Sequence, residues 1–117
     1  MDVLEKYDVK FFFSHECRLK CISSKSDWMS QFISNHDKIE TANWLINKIE
    51  NVLNGKQSEW IEISLGNELI DVKFDETKIH GDSEEWYKNN SVEPDFVIPT
   101  IDFKFIVEAW RNYLKKM

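Results

Sequence analysis

An α+β fold is what this 117-residue sequence predicts, and three observations carry the prediction. Segments of strand character fall into two hairpin-like pairs. Two long stretches carry apolar residues at helical spacing. The order of strands, helices, hairpin and helix lacks the strand–helix alternation of a parallel-sheet protein. The length suits one domain, residues 1–117, with a core of its own. The expected arrangement is an antiparallel sheet built from the N-terminal and central hairpins, packed by a central helix and a C-terminal helix.

Each element has a local reason. Tyr7 to Phe13 is rich in aromatic residues and reads as a strand; Arg18 to Ile22 reads as its partner, with Ser14-His15-Glu16 as the turn. Alternation places Val9, Phe11 and Phe13 on one face and Cys17, Leu19 and Cys21 on one face of the partner strand, both expected in the core. Ser23 to Asp27 is a polar break containing N-cap residues, and Trp28 to Ile33 fits a short helix. From Lys38 to Asn54, Ile39, Ala42, Leu45, Ile46, Ile49, Val52 and Leu53 recur at helical spacing, with Asp37 as the expected cap and Gly55 where a helix-ending glycine belongs.

The clearest local unit is the pair Trp60–Leu65 and Glu68–Phe74. Gly66-Asn67 between them suits a two-residue type II′ turn, which fixes a register. In that register Ile63 faces Ile70 and Ile61 faces Val72 on a buried side, while Glu62 faces Asp71 and Trp60 faces Lys73 on the other. Thr77 to Pro94 is the least regular stretch, with Asp82 to Tyr87 a candidate capped helical turn. Asp95 to Ile98 is a short extended run. A closing helix follows Pro99-Thr100, with Phe103, Ile106, Val107, Trp110 and Leu114 on one face.

Charge is distributed unevenly. Between Ser58 and Asp102 stand twelve carboxylates against Lys73, Lys78 and Lys88, while the chain as a whole has a net charge of −6. Such a one-sided field favours a basic partner and disfavours direct nucleic-acid binding, which needs a basic footprint. No apolar run is long enough to span a bilayer, and the first residues lack the pattern of a secretory signal, so a cytoplasmic protein without membrane contact is expected.

The chemical motifs are weak by comparison. Cys17 and Cys21, the two cysteines, lie roughly 13 Å apart on an extended segment, too far for a disulfide without a turn, so free thiols are expected. With His15 they do not make a four-ligand zinc pattern, and no metal or cofactor is expected. A nucleophilic pair of His15 and Cys17 lacks a recognisable orienting group or oxyanion hole. No nucleotide-binding or hydrolase motif occurs, and Glu62 with Asp71 lacks any accompanying sign of a glycosidase cleft. A non-enzyme is the expectation.

The helix Thr41 to Glu50, the following Gly55, the two-strand unit, and Asp95-Phe96-Val97-Ile98-Pro99-Thr100-Ile101-Asp102-Phe103 leading into Phe105 to Leu114 together resemble the small bacterial immunity proteins of contact-dependent growth inhibition and polymorphic toxin systems. The resemblance covers roughly residues 39–114 and rests on structural positions. It implies a cytoplasmic, non-catalytic protein that binds one cognate toxin domain, often a nuclease, and neutralises it. It implies no particular binding residues.

Charge and register supply those instead. Glu62, Asp71, Asp75, Glu76, Asp82, Glu84 and Glu85 are expected to meet a basic surface in a 1:1 complex, with Trp60 and Trp86 as apolar anchors. The alternative is a small cytoplasmic adaptor or regulatory domain binding a basic protein through the same face.

Overall fold

A computed structural model describes residues Asp2–Lys116. The helices are α1 (Val3–Lys6), α2 (Asp27–Ser34), α3 (Ile39–Leu53), α4 (Ser83–Lys88) and α5 (Thr100–Leu114); the strands are β1 (Lys10–Ser14), β2 (Leu19–Ser23), β3 (Glu59–Ile63), β4 (Leu69–Lys73), β5 (Glu76–His80) and β6 (Phe96–Pro99). The fold is α+β, as the element order predicts. The two hairpins nevertheless do not share a sheet: β1 and β2 form a two-stranded sheet, and β3-β4-β5-β6 form a separate antiparallel one in that order.

The first hairpin joins the helical layer. Phe11 stacks on Tyr113 of α5 at 5.3 Å between ring centroids and lies 6.1 Å from the Trp110 ring. Pairing of Phe11 with Ile22 sets which residues turn inward, and Ile22 is buried. Phe13 and Leu19, expected in the core, are instead about half exposed, and Cys17 lies exposed in the turn. Tyr7 is not part of the strand. It is buried and its hydroxyl donates to Asp102 Oδ2 at 2.8 Å, while Asp8 at φ 54° interrupts the extended chain before β1.

Capping fixes most helix starts. Ser26 accepts from the Met29 amide at 3.1 Å to open α2. The expected cap of α3, Asp37, is not used. Thr41 Oγ1 reaches back to the Lys38 amide at 3.3 Å, and Lys38 takes the cap position. Gly55 follows the helix at φ +78°, a conformation that glycine adopts without strain.

One layer of the core is the inner face of the four-stranded sheet: Ile70, Val72, Ile79 and Ile98. The opposite layer comes from α3 (Ala42, Leu45, Ile46, Ile49, Val52) and α5 (Phe103, Ile106, Val107, Trp110), with Met29, Phe32 and Ile33 of α2 at one end. Trp110 is fully buried and its indole N–H donates to the His36 carbonyl at 2.9 Å, tying α5 to the α2–α3 connection. Placing the helices on one side leaves the other side of the sheet to α4 and the 89–95 loop. That asymmetry positions the site.

The central hairpin departs from the predicted register by one residue. Ser64 donates to Glu68 O at 2.9 Å and Asn67 donates to Ser64 O at 3.0 Å, so the loop is Leu65-Gly66-Asn67, three residues long. The left-handed position falls on Asn67 at φ 73°, whereas Gly66 is not at positive φ. Such three-residue loops end in a left-handed residue, a role asparagine tolerates. The resulting pairs are Trp60 with Val72, Ile61 with Asp71, Glu62 with Ile70 and Ile63 with Leu69. A one-residue slip turns a strand over. Trp60 therefore turns to the core side and meets Trp44 edge-on at 5.5 Å, while Ile63 lies 36% exposed.

Candidate partner-binding site

The slip removes the expected Glu62–Asp71 confrontation. Glu62 sits at the margin of the core face, lining a small cleft with Asn35, His36, Trp44 and Leu65. Asp71 is on the outer face, opposite Ile61 on β3 and Lys78 on β5. Trp60, with its partners on the core side, is not an outward anchor. Asp75 and Glu76 are exposed at the β4–β5 turn, at the end of β5 away from α4. Four steps of strand put Glu76 roughly 13 Å from His80. The predicted set is thus divided: Asp71, Asp82, Glu84, Glu85 and Trp86 gather on or beneath α4, while Trp60, Glu62, Asp75 and Glu76 do not.

Carboxylate crowding does occur, with a different partner. Glu59 lies diagonally from Asp71 on the outer face, because Glu59 opposes Lys73 and Ile61 opposes Asp71. Asp71 is 7% exposed and its Oδ1 finds no hydrogen-bond donor among the described residues. Burial first, then a hydrogen bond with Glu59 and the charge of Glu59, raise the Asp71 carboxyl to about 6, against the lowering influence of Lys73 and Lys78. Two ionised carboxylates cannot bond to one another, so the contact closes only when one holds a proton. Lys73 Nζ lies 3.6 Å from Glu59 Oε2 and partly offsets the crowding.

Two clefts open on this side and share His80. One, of about 420 Å³, is lined by Asp71, Lys73, Lys78, Trp86 and the loop residues Asn90 to Pro94. The other, of about 360 Å³, is lined by Trp28, Gly81, Asp82, Glu85 and Asp95. The sequence places these groups by simple means. Asp82 caps α4 by accepting from the Glu84 amide at 3.0 Å, which projects Glu84, Glu85 and Trp86 from one short helix. Asn67 holds that helix to the hairpin loop, its carbonyl accepting from the Ser83 amide at 3.0 Å and its side-chain oxygen from the Ser83 hydroxyl. Asp95 Oδ2 accepts from the Gly81 amide at 2.6 Å and fastens the returning loop to the end of β5.

His80 is 4% exposed, and neither ring nitrogen has a hydrogen bond among the described residues. Burial pushes the imidazole below its ordinary range; Asp95 and Glu85 pull upward and Lys78 downward. The charge count is equally one-sided. Of the twelve carboxylates in the acidic segment, Glu59 and Asp102 have ion-pair partners within 4.0 Å among the described residues, and the other ten have none.

Sequence reasoning missed four contributors: Glu59, His80, Trp28 and Asp95. Glu59 and Asp95 were counted only as general acidity. His80 belongs to a strand from Glu76 that lies within the irregular stretch; alternation along that strand is the signal that places it on the same face as Lys78 and hence Asp71. Trp28 opens the short helix the sequence predicts, and nothing local marks it as 41% exposed at the start of α2. At the other candidate centre, His15 packs against Phe13 at 5.1 Å, and no hydrogen bond joins it to Cys17 among the described residues. No cluster of three metal-ligating side chains occurs among the described residues. Comparison of the chain with protein-family models, with curated proteins and with solved structures found no match.

Proposed function

We propose that this chain is a cytoplasmic immunity protein that binds a toxin domain, most simply a nuclease, and neutralises it in a 1:1 complex. The contact face is the outer side of the four-stranded sheet around α4. The observation that carries this reading is the absence, among the described residues, of ion-pair partners for ten carboxylates, six of which (Asp71, Asp82, Glu84, Glu85, Glu93 and Asp95) line the two clefts or stand on α4. A nuclease offers a basic surface evolved to hold phosphates, and an anionic face of this kind competes for it. Trp86, half-buried beside exposed Tyr87 at 5.2 Å, supplies the apolar part. The resemblance of residues 39–114 to immunity proteins selects the toxin over other basic partners.

The test is titration calorimetry against any toxin domain found encoded beside this gene, at roughly 50 and 300 mM salt. Charge-led binding weakens as salt rises, and Glu84→Gln with Glu85→Gln reduces both the association rate and its salt dependence. Affinity indifferent to salt would reject the proposed face. Binding to a basic protein of the host cell with none to the toxin would identify an adaptor instead.

A further inference from the structure

The cleft between Trp28 and α4 differs from its neighbour in having acidic and aromatic walls and no lysine or arginine: its lining is Trp28, His80, Gly81, Asp82, Glu85 and Asp95. The indole is a fixed wall. A Cβ built on Gly81 would stand 2.5–2.8 Å from three atoms of the Trp28 ring, so the ring lies directly on the Gly81 backbone. Only a residue without a side chain permits that approach. Across from it, Asp82 Oδ1 is engaged by the Glu84 and Asn67 N–H groups and Asp95 Oδ2 by the Gly81 amide. Asp82 Oδ2, Asp95 Oδ1 and both Glu85 oxygens have no protein donor among the described residues. At the junction, His80 is more than nine-tenths buried, its ring has no hydrogen bond among the described residues, and it lines the cleft. Its ring nitrogens are not sealed from solvent and are within reach of a donor that enters the cleft.

We infer that this cleft is a socket for one arginine side chain of the protein partner, its guanidinium stacked on Trp28 and hydrogen-bonded by Asp82, Glu85 and Asp95. The inference rests on the reading of the acidic face as a docking surface and names what that surface grips. Arginine fits better than lysine. Its flat guanidinium stacks on an indole and fans five N–H donors in one plane, matching several separate acceptors, whereas an ammonium is a compact point charge. A neutral His80 ring adds one more acceptor. A volume of about 360 Å³ admits a single long side chain and not a folded element.

The test is ¹H–¹⁵N NMR of the whole chain with four probes: arginine capped at both ends, capped citrulline, free arginine and nona-arginine. Capped arginine shifts the Trp28 indole N–H and the Gly81 amide, and capped citrulline, equal in shape but uncharged, binds about tenfold more weakly or less. Trp28→Ala abolishes the effect; Glu85→Gln, which leaves the packing intact, weakens it by about tenfold. Equal binding of citrulline, or shifts confined to other residues, overturns the socket. Free arginine binding more than about tenfold tighter than the capped form would make it a small-molecule site, which also overturns it. If nona-arginine binds in a salt-dependent way while capped arginine leaves the cleft unmoved, the socket falls and the acidic-face reading stands. If nona-arginine does not bind, both fall.

Discussion

Asp71 connects the outer face of the sheet to the pH dependence of the whole molecule. Its carboxyl rises from 3.8 to about 6 on folding, so the folded state holds a proton more tightly than the unfolded state. The stabilisation this provides is complete below about pH 4 and is lost as pH rises through about 6. At neutral pH the ionised group is therefore a cost, at most about 3 kcal/mol and less where water reaches the cleft. Asp71→Asn is expected to stabilise the protein at pH 8 by about 1–2 kcal/mol and to leave it nearly unchanged at pH 4, read from urea unfolding at both values. An equal effect at both would mean that the carboxyl is not perturbed. His80 acts in the opposite sense: its lowered imidazole favours the folded state above its ordinary range and withdraws that contribution as pH falls. At this scale the sequence showed that acids were crowded but not which ones. Adjacency in a sheet depends on pairing between strands, and Glu59 and Asp71 are twelve positions apart.

The hairpin of β3 and β4 shows how one loop residue decides what a strand presents. Gly66 and Asn67 suit a two-residue turn, and local turn chemistry also tolerates a three-residue loop ending in Asn67, so it does not choose between them. Two tertiary features favour the longer loop. Burying Trp60 against Trp44 and the core removes more apolar surface from water than burying Ile63 would. Asn67 is also drawn to α4 through its contacts with Asp82 and Ser83. Gly66 keeps a separate role: a Cβ there would lie 2.3 Å from Glu68 Oε2, and Glu68 is fully buried with Asn35 Nδ2 at 3.3 Å. Gly66→Ala is expected to cost about 1–3 kcal/mol by driving that carboxylate from its seat. Chemical denaturation measures the loss; an unchanged midpoint would show that the carboxylate can move aside freely. The helices were more legible than the strands. In α3 and α5 the apolar spacing is visible within a single segment, whereas β5 carries Glu76, Lys78 and His80 on the face opposite Thr77 and Ile79 and gives little hydrophobic signal.

Across the whole molecule, α5 is the piece that joins everything. Its Trp110 meets the first hairpin through Phe11 and the α2–α3 connection through His36, within the layer that packs on the sheet. Trp110→Ala is expected to cost about 3–5 kcal/mol and to loosen the β1–β2 sheet together with the main one. Hydrogen exchange of the β1 and β2 amides would check the second part; unchanged protection there would mean that the hairpin is held by other contacts. No helix among the described residues is long and apolar enough to cross a membrane. The one-sided placement of helices buries the inner face of the sheet and leaves its outer face to a short helix, a loop and most of the charge. That division gives the acidic segment a direction.

Composition and periodicity determined the α+β class, the positions of α3 and α5, the capped turn at Asp82 and the acidity of the segment from Ser58 to Asp102. Each of these is written in neighbouring residues, through spacing, caps and charge. The separation of the two sheets, the register of β3 on β4, the meeting of Asp71 with Glu59 and the setting of Trp28 over Gly81 were decided only in three dimensions. These depend on which surfaces bury most when distant segments compete for the same partner, a comparison that no local stretch of chain contains.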